Sequence, residues 1–154
     1  MSELSALAQQ VAAATRNVSE TVHRHVTVTP LTSFRAADHG AEVLLKCEHQ
    51  QKTGSFKVRG ALAKLSSLSM KERHGGVITA STGNHGAGFA YALGALGGTG
   101  IVCVPEGASP VKVALGQGPA ETEKLARDLA DRDQLPYISP YNDLYVVAGQ
   151  GTVG

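Results

Sequence analysis

Gly76-Val77-Ile78-Thr79-Ala80-Ser81-Thr82-Gly83-Asn84-His85-Gly86 is the run whose reading decides the fold. The first five residues are rich in β-branched side chains and predict a strand at Gly76 to Ala80. Gly83 and Gly86 punctuate a turn from Ser81 to Gly86, and the small residues Ala87 to Leu96 predict a helix after it. A further strand is predicted from Thr99 to Pro105. Strand, helix, strand is the unit of an open parallel sheet wrapped by helices. Gly97-Gly98-Thr99-Gly100 superficially resembles a nucleotide loop, but it precedes a strand instead of opening a helix and reads as a turn.

Upstream, Phe56, Val58, Ala61, Leu62, Leu65 and Leu68 recur at helical spacing, which predicts a helix opening at Ser55 as N-cap and running to Leu68. Lys57 falls in its first turn. Glu42 to Glu48 reads as a short strand, Thr29-Pro30-Leu31-Thr32 as a turn into an irregular segment, and Leu4 to Val18 as an amphipathic first helix. Downstream, Val111 to Leu115 starts like a helix but meets Gly116-Gln117-Gly118-Pro119, which no helix crosses cheaply. A helix is predicted from Ala120 to Arg132 with Glu121 and Glu123 at its start, where acidic groups suit the helix dipole. A strand-like Leu135 to Ser139, a turn at Pro140 to Asp143 and the opening of another helix at Leu144 follow.

The chain has 154 residues, 42% of them hydrophobic, enough for one domain with a core. Fourteen Lys and Arg against 13 Asp and Glu give a formal charge of +1, too little for a sequence-independent nucleic-acid binder, so small molecules or protein are the expected partners. No segment reaches the roughly 18 uninterrupted apolar residues of a membrane span and no signal-peptide pattern opens the chain, so a cytoplasmic protein without a membrane partner is expected. Cys47 and Cys103 form no ligand cluster, and each is flanked by apolar residues as in a buried strand. His23 and His25 have a spacing that places both on one side of a strand, yet no third ligand is near; His39, His49 and His74 read as solvated residues of loops or strand ends, and no metal site is expected. Asn17-Val18-Ser19 fits a glycosylation sequon and reads as a polar helix turn.

A lysine in the first turn of a helix is unusual because its charge opposes the positive end of the helix dipole. An amine so placed reaches its neutral, imine-forming state more readily. The turn Ser81 to Gly86 offers backbone N–H groups and small hydroxyls to an anion. Asn84 adds an amide able to bond a ring hydroxyl, and Ser81 and Thr82 have hydroxyls able to hold a carboxylate. Either feature alone is also common in proteins with no such chemistry.

The two occur in one order with Thr29-Pro30-Leu31, Leu45-Lys46-Cys47-Glu48 and Gln51-Lys52-Thr53-Gly54-Ser55-Phe56-Lys57-Val58-Arg59-Gly60-Ala61. Together these resemble fold type II of the pyridoxal 5'-phosphate (PLP)-dependent enzymes, the tryptophan synthase β-like fold. Within it they resemble the serine/threonine dehydratase branch, threonine ammonia-lyases, with serine racemases as close relatives. The resemblance spans residues 20–115 and 121–154. Val58 stands where the cysteine synthase-like and threonine synthase-like branches usually carry aspartate. The resemblance implies that Lys57 holds the cofactor as an imine and later removes the substrate's α-proton, that Phe56 flanks the cofactor, and that Asn84 bonds its 3′-hydroxyl. Ser81, Thr82, Asn84 and His85 would bind the substrate carboxylate through side chains and backbone N–H groups. The cofactor would act as electron sink while the β-hydroxyl leaves, giving a 2-oxo acid and ammonia from L-threonine or L-serine. Thr82 stands where the racemases carry a reprotonating serine, and Tyr141 and Asn142 are implied to face the cofactor cleft.

By the same resemblance, residues 1–49 are the N-terminal part of a large domain, 50–143 a small α/β domain, and 144–154 the start of a return into the large domain. The pattern departs from the family around Gly116 to Pro119, where residues are missing, and at Gly154, beyond which the phosphate-binding glycine loop is expected. A truncated and internally shortened chain that binds PLP weakly is the resulting expectation, with a serine racemase-like enzyme or a non-catalytic fragment or pseudoenzyme as alternatives. A homo-oligomer is expected of the full-length form.

Overall fold

The computed structural model describes residues 3–35, 42–105 and 119–154. The helices are α1 (Glu3–His25), α2 (Lys57–Ser67), α3 (Met70–Gly75), α4 (Asn84–Leu96), α5 (Pro119–Asp133) and α6 (Leu144–Gln150). The strands are β1 (Leu31–Arg35), β2 (Glu42–Lys46), β3 (Val77–Ala80) and β4 (Gly100–Cys103). Short 3-10 turns follow at Glu48–Gln50 and Gly151–Val153.

β3 and β4 pair in parallel, Val77 opposite Gly100 and Ala80 opposite Cys103. The segment predicted as strand-like at 135–139 extends this pair on the other side of β3 through a parallel bridge between Ile78 and Tyr137. Ile78 N–H donates to Pro136 O at 2.9 Å, and Ile138 N–H donates to Ile78 O at 2.7 Å. Both faces of β3 are covered. On one, Val77 joins Phe89 and Leu93 of α4 and Leu62 and Leu65 of α2 in the larger core; on the other, Ile78, Ala80 and Cys103 pack on Ala126 and Ala130 of α5. Two covered faces are why all four residues of β3 are buried and only Thr79 among them is polar.

Small residues set how closely the helices approach. A Cβ at Gly88 would lie 2.9 Å from Val58 N, so only glycine lets α4 sit directly on the start of α2. A Cβ at Gly149 would lie 2.6 Å from the Ala63 Cβ, which fixes a similar crossing of α6 on α2. The first contact matters for function, because it presses the turn before α4 toward Lys57.

A buried polar cluster ties the entry and exit of this body. Arg59 is 2% exposed; its Nε donates to Glu48 Oε2 at 2.8 Å, Nη2 to Glu48 Oε1 at 3.0 Å, and Nη1 to Thr152 O at 3.0 Å. Thr29 Oγ1 adds a donor to Glu48 Oε1 at 2.6 Å. Burial pushes the Glu48 carboxyl up, but the hydrogen bonds from Arg59 and Thr29 outweigh it and hold the pKa at about 2.

Several expectations are corrected. The segment after Pro30 is a regular strand, β1, paired antiparallel with β2 in register Leu31 to Lys46 and Arg35 to Glu42. Its regularity comes from pairing with the next strand, which the weak alternation of Leu31 to Arg35 does not announce. The first helix runs to His25, placing His23 and His25 in its last turn and not on a strand. His49 lies in the first 3-10 turn and His74 in the last turn of α3. Cys47 is half-buried just past β2, whereas Cys103 is buried in β4. α4 opens three residues earlier than its small-residue run, at Asn84. Expectations for His39 and for 106–118 lie outside the described residues. Among the described residues no cluster of His, Cys, Asp and Glu fits a metal ion, and no helix is long and apolar enough to cross a membrane.

Candidate active site

Lys57 is the first residue of α2. Ser55, the predicted cap, does serve the helix start: its Oγ accepts from Lys57 N–H at 3.1 Å, although Phe56 occupies the N-cap position. The Lys57 side chain reaches into a cavity of about 440 Å³, bounded by the end of β3, the turn before α4, the start of α5, and Pro140 with Tyr141. Its Nζ donates to Pro140 O at 3.0 Å and lies 5.4 Å from the centroid of the Phe56 ring.

The turn Ser81 to Gly86 forms the wall beside the lysine. Ser81 Oγ accepts from Gly83 N–H at 3.1 Å and Gly86 N–H at 2.8 Å, which folds the turn onto the start of α4. The N–H groups of Asn84 and His85, the first two residues of α4, have no acceptor within the helix and sit at its positive end. Ser81, Thr82, Asn84 and His85 all border the cavity together with Lys57, whereas Phe56 and Asn142 are not among its lining residues. Phe56 flanks the lysine through its ring. Tyr141 borders the cavity too.

Ser81 and His85 have side-chain partners within the protein. Ser81 Oγ is engaged by the turn itself. The His85 ring is 4% exposed and turns inward, its Nε2 lying 3.0 Å from Thr79 Oγ1. Thr79 spends its hydroxyl hydrogen on Ile138 O at 2.6 Å, so it must accept from Nε2–H. The ring is then the neutral tautomer protonated on Nε2, with Nδ1 buried and unpartnered. Burial first, then the charge of Lys57, push the His85 pKa down to about 4. What His85 presents to an anion is its backbone N–H.

The opposite wall carries residues the sequence did not reveal. Thr122 and Glu123, near the start of α5, border the cavity. Tyr141 Oη donates to Glu123 Oε2 at 2.5 Å and Arg127 Nη2 to Oε1 at 2.8 Å, bonds that hold the Glu123 carboxyl below the usual carboxylate range. Arg127 in turn stacks over the Tyr137 ring, 4.2 Å from its centroid. Burial pushes the Tyr137 hydroxyl up to about 12. Acidic residues at a helix start carry a signal of capping, not of a site, and nothing local links Glu123 to Tyr141.

An amine at one helix start and a turn at another that presents backbone N–H groups face one cavity in an α/β body, an arrangement able to take a carbonyl compound that bears negative charge. The chain belongs to the pyridoxal-phosphate-dependent enzyme family, whose model matches residues 22–154. It is 39% identical to a putative threonine dehydratase of Sinorhizobium fredii over 169 alignment positions, covering 100% of this chain and 49% of the relative. It is 36% identical over 149 positions to a serine racemase of Schizosaccharomyces pombe, covering 88% of this chain and 46% of that one. Among solved structures, the processed form of threonine deaminase isoform 2 from Solanum lycopersicum superposes with a TM-score of 0.87 at 30% identity, covering 99% of this chain and 45% of that one. The fold is that of fold type II, and the chain spans about half the length of these relatives.

The residues present fit the family's cofactor. PLP bears an aldehyde, for which Lys57 supplies a primary amine, and Asn84 supplies an amide at the cavity wall. The volume lies within the roughly 300–1,000 Å³ of ligand sites.

Proposed function

We propose that this chain carries the lysine-bearing part of a PLP-dependent ammonia-lyase that converts L-threonine or L-serine to a 2-oxo acid and ammonia. The observation that carries the reading is that Lys57 Nζ and the Ser81 to Gly86 turn border one cavity. The bound cofactor supplies an electron sink for the carbanion formed at the substrate's α-carbon. Lys57 holds the cofactor and, once released, is the base that takes the α-proton. The N–H groups at the start of α4, with Thr82 and Asn84, orient the substrate carboxylate, and Asn84 also bonds the cofactor's ring hydroxyl. The neutral His85 ring adds no positive charge beside the lysine. A cytoplasmic setting and a homo-oligomeric full-length form accompany this reading.

The test is to mix the purified chain with PLP and follow the absorbance of the lysine-bound cofactor in wild type and Lys57→Ala, then assay 2-oxo acid and ammonia from L-threonine. A band that depends on Lys57, with product formed, supports the proposal; a band that persists in Lys57→Ala refutes the assignment of the lysine.

Amino-acid racemisation is a second reading, favoured by the place of Thr82 among the cavity-lining residues and by the serine racemase relative. Following loss of substrate chirality beside oxo-acid release separates the two.

A further inference from the structure

The function proposed above assigns no role to the wall of the cavity formed by α5 and Tyr141. Glu123 is placed there from two directions. Tyr141 Oη donates to Oε2 at 2.5 Å, while Arg127 donates to Oε1 from Nε at 3.2 Å and from Nη2 at 2.8 Å. Arg127 does not border the cavity. Oε1 is filled by the two guanidinium bonds, but Oε2 retains acceptor capacity beyond the tyrosine. The Tyr141 hydroxyl hydrogen is committed to Glu123, so the tyrosine orients the carboxylate. The two bonds favour the ionised carboxylate.

We propose that Glu123, oriented by Tyr141, is the specificity-determining residue of this cavity, accepting a hydrogen bond from the side-chain hydroxyl of a β-hydroxy amino acid and repelling amino acids with an acidic side chain. This rests on the reading of the site as one for amino acids. With the substrate's carboxylate at the α4 turn and its amino group toward Lys57, the remaining substituent on the α-carbon is left for the opposite wall. A hydroxyl brings a donor to Oε2. A second carboxylate brings a like charge to an ionised group in a partly desolvated cavity, and at short range that weakens binding by about tenfold to a hundredfold. Specificity is then set by repulsion as much as by attraction.

The test titrates L-threonine, L-serine and L-aspartate into the PLP-loaded chain, following the cofactor's absorbance, with ligand-detected saturation-transfer NMR as a readout independent of turnover. The wild type is expected to bind L-aspartate about tenfold to a hundredfold more weakly than L-threonine. In Glu123→Gln the gap closes, mainly because aspartate binds more tightly. Tyr141→Phe, at an exposed position where folding is not at stake, narrows it partly. Equal affinity for aspartate and threonine in the wild type, or a gap unchanged in Glu123→Gln, overturns the proposal. Failure of the lyase reading is distinguishable: the cofactor band is then independent of Lys57, while the NMR titration still decides whether Glu123 discriminates.

Discussion

Lys57 Nζ rests on the carbonyl oxygen of Pro140, 3.0 Å away and 83 residues further along the chain. The segment bearing that carbonyl is fixed by Ser139, whose buried Oγ accepts from Asn142 N–H at 2.9 Å, and by the Ile138 bond to β3. The lysine is therefore held at a defined point of the cavity wall by backbone. Replacing Lys57 with Ala should remove the cofactor's absorbance band while changing unfolding free energy by no more than about 1 kcal/mol, as expected of a side chain outside the core. Absorbance and urea titrations on the same samples check both halves.

Arg59 should behave in the opposite way. It is buried and bonded to Glu48 and Thr152, so Arg59→Ala leaves the Glu48 carboxylate buried without its main partner and should cost about 3–5 kcal/mol. Arg59→Lys should recover only part, because an ammonium cannot reproduce the two parallel bonds to the carboxylate. Equilibrium urea unfolding of the variants measures the loss.

Acid should weaken the fold through two groups. The Glu48 pKa falls from 4.5 to about 2 on folding, so its contribution is fully present above pH 4.5 and is lost as pH falls toward 2. The His85 pKa falls from 6.5 to about 4, so keeping the ring neutral costs nothing above pH 6.5 and costs progressively more as pH falls toward 4. Stability measured against pH should decline in two overlapping steps. Glu48→Gln should remove the lower one. Nitrogen-15 NMR of His85 should show the Nε2–H tautomer with no titration between pH 6 and 8.

Gly88 sits where α4 meets the backbone of Lys57 and Val58. Gly88→Val should force the helices apart, costing about 1–3 kcal/mol and moving the turn at 81–86 away from the lysine. Binding of PLP should weaken beyond what the stability loss explains, which a cofactor titration well below the unfolding midpoint would detect.

What was legible in the sequence was what is local. The β3, turn, α4 and β4 unit follows from β-branched residues, Gly83 and Gly86, and a small-residue helix, and Lys57 declares itself by its place at a helix start. β1 was missed because Leu31 to Arg35 alternates weakly and gains its structure from β2. The extension of α1 through His23 and His25 was not legible because its apolar period fades before its end, leaving Val22 as its last buried residue. The carbonyl of Pro140 could not be foreseen, since a backbone acceptor has no residue type. The Glu123 and Tyr141 pair joins residues 18 apart, with the rest of α5 and the segment bridged to β3 between them, a contact that only the tertiary fold creates. The same holds for the His85 and Thr79 bond, which turns the ring inward.

The most direct test of the central claim is to reduce the mixture of chain and PLP with borohydride, digest it, and locate the added pyridoxyl mass. The account predicts a single modified peptide bearing Lys57, abolished in Lys57→Ala. A label on Lys52 or Lys64 instead, or the same yield in the variant, would contradict it.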